Sequence, residues 1–420
     1  MLERTRLLAL LPLVVLAGCD PTGPGDGPPA LLTELPRDLS ASELRVIEGS
    51  NAFAFGFLGA LVESRGEDEN VFTSPLSASM AFGMAMNGAA GETWTQMRDA
   101  LGFEGLTEEE INASYRDLIA LLLDLDDGVS FGLANSIWVR DDFSLLPDFT
   151  GRLETFFDAE ARAVDFGDPG TVDVINDWVS GKTGGRIEDL IESIPPEMVL
   201  YLINAIHFKG DWRFAFDADD TADRPFLALD AGTVETPMMS GEPAWRIASH
   251  GGAAIVEMPY GSGAFSAVAV LPPAGTDPVA FVTGLDGAVW GEWMGILEAM
   301  EADSASGITV LFPKLEIEWE SSLNQAMIDL GMRNAYACDQ TTDLSRISGS
   351  RGLCILESAQ MTFLKVDEKG TEAAAATYVG VGTTSAGPQP LAFDRPFLFA
   401  IRERLSGTIL FLGMIGNPAE

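Results

Sequence analysis

Residues 371–384 alternate between two sets of side chains, and this alternation constrains the fold more than any other feature of the chain. Every second side chain from Thr371 onward is small or β-branched, whereas Glu372 begins the set that points the opposite way. A period of two is typical of a strand with one buried face. The turn-forming residues at 368–370 and 385–390 predict an exposed loop instead. We interpret the segment as one that can change between a loop and a strand. An alanine-rich surface loop or a short helix is the alternative, because alanine is the best helix former.

Short motifs in the rest of the chain carry a family resemblance that this segment shares. They occupy residues 70–77, 87–93, 175–179, 183–187, 203–212, 256–260, 312–315, 393–399 and 411–418. Each motif is weak by itself, but together they follow the order found in the serpin family, which the chain resembles over this span. Residues 368–377, Glu-Lys-Gly-Thr-Glu-Ala-Ala-Ala-Ala-Thr, are similar to the hinge of the reactive-centre loop of an inhibitory serpin.

The pattern of predicted elements, with helices early and strands late, indicates an α+β fold. Helices are expected at 43–64, 75–87, 93–101, 171–180 and 320–330. Strands are expected at 129–139, 199–208, 234–240, 253–259, 265–271, 308–317, 361–367, 394–402 and 408–415. The resemblance implies the serpin fold, with three β-sheets, about eight or nine helices and an exposed reactive-centre loop at about 368–392.

The resemblance also implies a function, the inhibition of serine proteases by a suicide substrate. The protease cuts the exposed loop and becomes a covalent acyl-enzyme, and the cut loop inserts into the large sheet and traps it. A non-inhibitory serpin acting as a carrier, chaperone or surface protein, or a cysteine-protease inhibitor of the same fold, is the alternative. The small side chains kept in the hinge favour the inhibitor. The hinge residues implied by the resemblance are Gly370, Thr371, Glu372, Ala373, Ala374, Ala375 and Ala376.

The scissile bond and the target protease follow from the spacing in similar proteins. Counting from Gly370 places the scissile residue at Thr384, whereas counting back from Phe393 places it at Ser385. Both residues are small and uncharged, which suits elastase-like or subtilisin-like proteases. Trypsin-like enzymes need Arg or Lys at this position.

Other site residues are expected in the shutter and breach regions of the large sheet. The family often places a histidine in the shutter, where this chain has Gln360, with Ser74 and Asn204 as expected neighbours. An amide can still form hydrogen bonds there. Trp212 matches the breach tryptophan at the top of the sheet.

No motif in the chain indicates enzymatic chemistry. It has two histidines, and neither lies in a metal-binding motif. We therefore expect no catalytic residues, no metal and no cofactor. The expected partner is a target protease, and the protein is expected to be a monomer.

The N-terminus is typical of an exported lipoprotein. Two arginines, an apolar run and Leu16-Ala17-Gly18-Cys19 resemble a bacterial lipoprotein signal at residues 1–19, with Cys19 as the lipid-modified residue. An ordinary cleaved signal peptide is the alternative. Residues 20–40 are rich in proline and glycine and predict a tether without packed structure, so the serpin domain is expected at 41–420. We expect attachment to the bacterial cell envelope or cell surface through the lipid alone.

The net charge limits the expected binding partners, and the cysteine content bears on disulfide formation. The net charge of −38 disfavours nucleic acid and anionic lipid surfaces as partners. If Cys19 is lipidated, Cys338 and Cys354 remain, and an exported chain meets an oxidising environment. These two cysteines are expected either to form a disulfide or to stay as free thiols.

Overall fold

The computed structural model describes residues 28–66, 68–301, 303, 306–371 and 389–419. The α-helices of this part of the chain are α1 (Ala41–Ser64), α2 (Pro75–Met86), α3 (Gly91–Ala100), α4 (Glu108–Leu123), α5 (Pro147–Phe157), α6 (Gly170–Lys182), α7 (Pro278–Thr283), α8 (Gly287–Glu298), α9 (Asn324–Asp329), α10 (Arg333–Tyr336) and α11 (Ser345–Ser348). The strands are β1 (Val71–Thr73), β2 (Val129–Arg140), β3 (Ala159–Val164), β4 (Leu200–Asp211), β5 (Ala222–Leu227), β6 (Thr233–Gly241), β7 (Arg246–His250), β8 (Ala253–Pro259), β9 (Phe265–Leu271), β10 (Val310–Pro313), β11 (Leu315–Ser322), β12 (Ala359–Asp367), β13 (Gly370–Thr371), β14 (Leu391–Ala392), β15 (Phe397–Glu403) and β16 (Ile409–Ile415).

These strands form three sheets. The large sheet has the order β11-β12-β13-β4-β2-β3, a second six-stranded sheet has the order β1-β16-β15-β9-β8-β7, and a four-stranded sheet has the order β14-β10-β6-β5. The expected α+β fold with three sheets is confirmed. The described residues contain eleven α-helices rather than eight or nine. The surplus consists of helices of four to six residues, which are too short to carry a 3.6-residue period in the sequence.

Helix α1 organises the main hydrophobic core. It begins at a capping box, in which the Ser40 hydroxyl accepts a hydrogen bond from the Glu43 backbone N–H while the Glu43 carboxylate accepts one from the Ser40 backbone N–H. The side chains of Val46, Phe53 and Phe57 are buried. By length and composition α1 is the one described helix that could cross a membrane, but 61% of its apolar window is buried inside the domain. It is therefore packed as a core helix of the fold.

Two of the expected elements have different bounds in the structure. The helix expected at 320–330 is confined to α9, because β11 continues to Ser322 with alternating buried and exposed residues. The strand expected at 308–317 is divided into β10 and β11, since these lie in different sheets. The apolar residues continue from one strand into the next, so the sequence does not indicate where the chain leaves one sheet and enters another.

The second half of the predicted tether is packed rather than free. Leu32, Leu35 and Leu39 are partly buried against the main core. The backbone N–H of Leu32 donates to the Ser262 carbonyl oxygen at 2.8 Å. A free tether therefore ends before residue 29, and the expectation of an unpacked segment up to residue 40 is wrong for this part. The contacts arise from a few leucines whose partners lie far along the chain.

Candidate functional site

The large sheet receives Gly370 and Thr371, the first two predicted hinge residues, between two of its strands. Gly370 and Thr371 form β13, which lies between β12 and β4 and is antiparallel to both. Thr371 is opposite Val366 on one side and Gly210 on the other. The chain turns sharply after β12, where the Lys369 backbone N–H donates to the side chain of Asp367 at 2.9 Å. The first two hinge residues are therefore strand residues of the sheet.

Two glycines allow this close entry. A Cβ on Gly370 would collide with the carbonyl oxygen of Gly210 and would lie 2.8 Å from the Cα of Asp211. A Cβ on Gly210 would lie 2.9 Å from the ring of Tyr260. At Gly370 backbone meets backbone, and at Gly210 an aromatic ring fills the space that a Cβ would need, which is why both positions require glycine. Sequence reasoning assigned Gly370 only a bend, and Gly210 was not singled out.

Thr371 lies in a buried aromatic environment at the top of the sheet. It is 3% exposed, and its Oγ1 lies 2.6 Å from the hydroxyl of Tyr260. Burial raises the pKa of Tyr260, so this hydroxyl stays protonated. The Trp212 ring stacks on the Tyr260 ring with centroids 4.4 Å apart, and its indole N–H donates to the Asp367 carbonyl oxygen at 2.9 Å. Trp212 therefore connects the end of β4 to the turn that precedes the hinge.

An ion pair secures the same turn from the other side. The carboxylate of Glu368 accepts hydrogen bonds from the Lys314 ammonium at 2.9 Å and from the Thr221 hydroxyl at 2.8 Å. Burial raises the pKa of Glu368, but these two donors outweigh it and hold the pKa below its usual range. Sequence reasoning read Glu368 as part of a turn and missed Lys314. The proximity of Glu368 to the hinge was the only signal available.

A slot continues below Thr371 between β4 and β12. In the described part of the chain these two strands pair with β13 but not with each other. The slot is lined by residues 206–208 of β4 and 361–364 of β12. The segment that follows α6 lies over it, with Thr183, Arg186 and Ile187 in the lining and the Arg186 guanidinium 5.3 Å from the ring centre of Phe363.

Two of the expected shutter residues, Gln360 and Ser74, are joined by hydrogen bonds, whereas Asn204 forms its side-chain hydrogen bond elsewhere. Gln360 accepts a hydrogen bond from the Ser74 backbone N–H at 2.9 Å and donates one to the Ser74 carbonyl oxygen at 2.9 Å. The Gln360 side-chain oxygen also accepts from Thr73, and the Ser74 hydroxyl donates to Leu410. The amide at this position therefore bridges β12 to the start of α2.

Asn204 is not part of that group. Its side-chain N–H donates instead to the Asn135 side-chain oxygen on β2 at 2.7 Å, and its own side-chain oxygen is buried without a hydrogen-bond partner among the described residues. Asn204 and Asn135 are directly opposite in the antiparallel ladder of β4 and β2. The side-chain N–H of Asn204 also lies 4.0 Å from the sulfur of Met80 on α2, the helix that Ser74 caps, and the expectation that Asn204 is a neighbour of Gln360 stays a prediction.

Several predicted site residues lie outside the described residues. These are the lipidation candidate Cys19, the scissile candidates Thr384 and Ser385, and five of the predicted hinge residues: Glu372, Ala373, Ala374, Ala375 and Ala376.

The two remaining cysteines are paired. Cys338 and Cys354 form a disulfide with their Cα atoms 5.0 Å apart. The loop that it closes contains α11, and Ile355 just after it donates its backbone N–H to the Ala335 carbonyl oxygen at 2.8 Å. The disulfide thus ties the residues that lead into β12 to the chain just after α10.

Comparison with known proteins identifies the class of protein. The family model described as serpin (serine protease inhibitor) matches residues 48–418. The chain therefore belongs to the serpin family.

Individual relatives cover nearly the whole chain. A serpin-like protein of Thermococcus kodakarensis is 32% identical over 443 aligned positions, covering 100% of both chains. Iripin-3 of Ixodes ricinus is 33% identical, covering 88% of this chain and 93% of its own. Among solved structures, human thyroxine-binding globulin is similar with a TM-score of 0.80 and 27% identity, covering 90% of this chain and 100% of its own.

Proposed function

We propose that this serpin inhibits serine endopeptidases as a suicide substrate. The protease attacks a bond near Thr384 and forms an acyl-enzyme with the N-terminal part of the cut loop. The freed loop then extends β13 down the slot between β4 and β12 and carries the protease with it. The protease active site is distorted before water can complete hydrolysis. The chemistry belongs to the protease, and this chain supplies the conformational change.

One observation carries the proposal. Gly370 and Thr371 already pair with both strands that border the slot, so further residues can join the same two ladders without a new register. Every second residue after Thr371 is small or β-branched and would take the same buried face. Among the described residues β4 and β12 have no partner between them beyond Thr371, and an alternating pattern in register with two such strands is what strand addition requires.

Apolar burial and the release of strain decide whether such a segment inserts. Each inserted residue gains hydrogen bonds worth about 0.5–1.5 kcal/mol net, and ordering its backbone costs about 1–2 kcal/mol. These terms nearly cancel, so apolar burial and release of strain must decide the outcome. A small face suits burial in a narrow slot, and a charge on that face would oppose it.

The residues around Thr384 indicate the target class. Thr384 and Ser385 are small and uncharged, which suits the shallow primary pockets of elastase-like or subtilisin-like enzymes. A trypsin-like pocket would be left with an unpaired carboxylate. We therefore propose targets of the first kind.

A carrier function is the second candidate, because two of the similar solved structures are of thyroxine-binding globulin. That fold neighbour is named for binding thyroxine rather than for inhibiting a protease. A carrier does not require an inserting loop. The retained run of small side chains at the hinge therefore favours the inhibitor for this chain.

The proposal is tested by incubating the protein with elastase-like, subtilisin-like and trypsin-like enzymes and with a papain-like cysteine protease. A complex with a serine protease that survives a denaturing gel is expected for the first two. The matched control is the same enzyme with its active-site serine chemically blocked, which should give none. Cleavage of the loop by every protease without such a complex would contradict the inhibitor and favour the carrier.

A further inference from the structure

A short stretch of the N-terminal segment is docked beside the entrance to the slot. Its contacts involve residues 29–32, here called the docked segment. The Pro29 carbonyl oxygen accepts a hydrogen bond from Nη1 of Arg213 at 2.6 Å. The Leu32 carbonyl oxygen accepts from Nη2 of Arg404 at 2.5 Å, and its N–H donates to Ser262 at 2.8 Å. Two arginines and one backbone bond therefore bind four residues of an otherwise proline- and glycine-rich stretch.

The docked segment also makes an apolar contact with the turn after β8. A Cβ on Gly263 would lie 2.6 Å from Cδ1 of Leu31, so Leu31 occupies the space that a side chain at 263 would need. Arg404 donates to the Gly263 carbonyl oxygen at 2.8 Å as well. The docked segment, this turn and the end of β15 are thus held as one unit.

This turn is the one that contacts the hinge. Tyr260 forms a β-bridge with Trp212 and places its hydroxyl on Thr371. The Gly261 backbone N–H donates to the Asp211 carbonyl oxygen at 2.9 Å. Residues 260–263 therefore touch the docked segment at one end and Thr371 of the hinge at the other.

Arg213 provides a second connection. Its side chain is 3% exposed and forms an ion pair with Asp303 at 2.7 Å. It directly follows Trp212, whose backbone N–H donates to the Lys369 carbonyl oxygen at 2.6 Å. Loss of the Pro29 carbonyl would remove one acceptor from a nearly buried cation, which is costly for the residues around it.

We propose that the docked segment restrains the entrance to the slot, so that the N-terminal segment of the chain controls how readily the hinge opens. Docking stabilises the arrangement in which Tyr260 holds Thr371 and Trp212 holds the preceding turn. Undocking loosens that arrangement through contiguous contacts on both routes, and the two equilibria are coupled. Any effect of the docked segment on protease inhibition rests on the proposed function. The restraint of the hinge by the docked segment does not.

Hydrogen exchange of the full chain without protease tests the restraint. The variant Pro29→Gly with Leu31→Ser and Leu32→Ser removes the apolar contact and frees the backbone. We expect amide exchange in peptides spanning 209–214 and 366–371 to rise about tenfold, the factor expected when local opening becomes easier by the energy of one or two such contacts. The matched control, Pro24→Gly with Asp26→Ser, should leave exchange within about twofold of the parent.

The milder variant Leu31→Ala controls for the chance that the triple variant fails to fold. It should raise exchange in the same two peptides to a smaller extent. A further test places the triple variant in a Tyr260→Phe background. Since Tyr260 transmits part of the effect, the triple variant should raise exchange less there than in the parent.

Exchange that rises only at 259–264 while both hinge peptides stay at the parent level would overturn the proposal. Equal effects in the two Tyr260 backgrounds would overturn the assigned route. The exchange experiment contains no protease, so its result does not depend on whether the protein forms a covalent complex. A separate protease assay tests the proposed function, and the failure of one proposal can therefore be told apart from the failure of the other.

Discussion

Replacing Thr371 with arginine should convert the inhibitor into a substrate. Thr371 is 3% exposed and packs its Oγ1 at 2.6 Å from the Tyr260 hydroxyl, with the Gly210 backbone opposite. An arginine there would lose this hydrogen bond and bury a cation between an aromatic ring and the backbone. An unpaired buried charge costs about 3–5 kcal/mol. Because Thr371 is already buried in the uncut chain, we expect arginine to expel the hinge from the sheet, and the cost of burying the cation is then met when the cut loop inserts, while the cleavable bond is unchanged.

This cost acts on a competition between two rates. Insertion must occur before the acyl-enzyme is hydrolysed, and the protease sets the rate of hydrolysis. If about 3 kcal/mol is felt in the transition state for insertion, the insertion rate falls about a hundredfold. Most cleavage events then end in hydrolysis rather than in a trapped complex.

The assay is the number of inhibitor molecules consumed per protease molecule inactivated, together with a denaturing gel. The Thr371→Val control keeps the shape and loses one hydrogen bond, worth about 1 kcal/mol, so it should weaken trapping by no more than about tenfold. Thr233→Arg adds the same charge at an exposed position of β6 and should match the parent. Parent-like trapping by Thr371→Arg would show that Thr371 does not lie on the inserting face.

The remaining predictions concern cleavage, pH, anchoring and specificity. Cutting near Thr384 should raise the unfolding temperature, because the freed loop adds a strand to the sheet; a lower melting temperature would favour the carrier. Burial raises the pKa of Glu257, but Arg402 and Arg246 outweigh it and lower that pKa to about 2. The stabilisation from this carboxylate is therefore complete above its unfolded pKa of about 4.3 and lost as the pH falls through about 2, so acid unfolding followed by circular dichroism should be less steep in Glu257→Gln. Cys19→Ser should release the protein from the membrane fraction with inhibition intact. With Pro29 docked, the ten Cα–Cα steps from Cys19 to Pro29 span at most about 35 Å; an intact mass without acyl chains would contradict the anchor. Thr384→Arg should shift inhibition toward trypsin-like enzymes, and mass spectrometry of the released C-terminal peptide identifies the cut bond.

Much of the architecture could be predicted from the sequence, because apolar residues recur with a period of two in many strands and about 3.6 in several long helices. The expected helices at 43–64, 75–87 and 171–180 lie within a few residues of α1, α2 and α6. The strands expected at 253–259 and 265–271 match β8 and β9. The helices α4, α5 and α8 were not predicted, although they have 16, 11 and 12 residues. Most elements of two to six residues were missed as well, since no period can be recognised over one turn or one pair of residues.

The sequence alone determined the family and predicted the position of the hinge. Both rest on local order: motifs in a fixed succession, and a run of small side chains after Gly370. Side-chain size and alternation are properties of neighbouring residues, so they are present in the chain before it folds.

Only the tertiary structure decided which residues hold the hinge. Lys314 and Glu368 are 54 residues apart in sequence, Trp212 and Asp367 are 155 apart, and Arg213 is 184 residues from Pro29. The last two of these bonds use a backbone carbonyl, which every residue has. A donor whose acceptor is a backbone atom cannot be found from residue types. The fold supplies the partner by bringing the end of β4, the turn after β8 and the docked segment to one place.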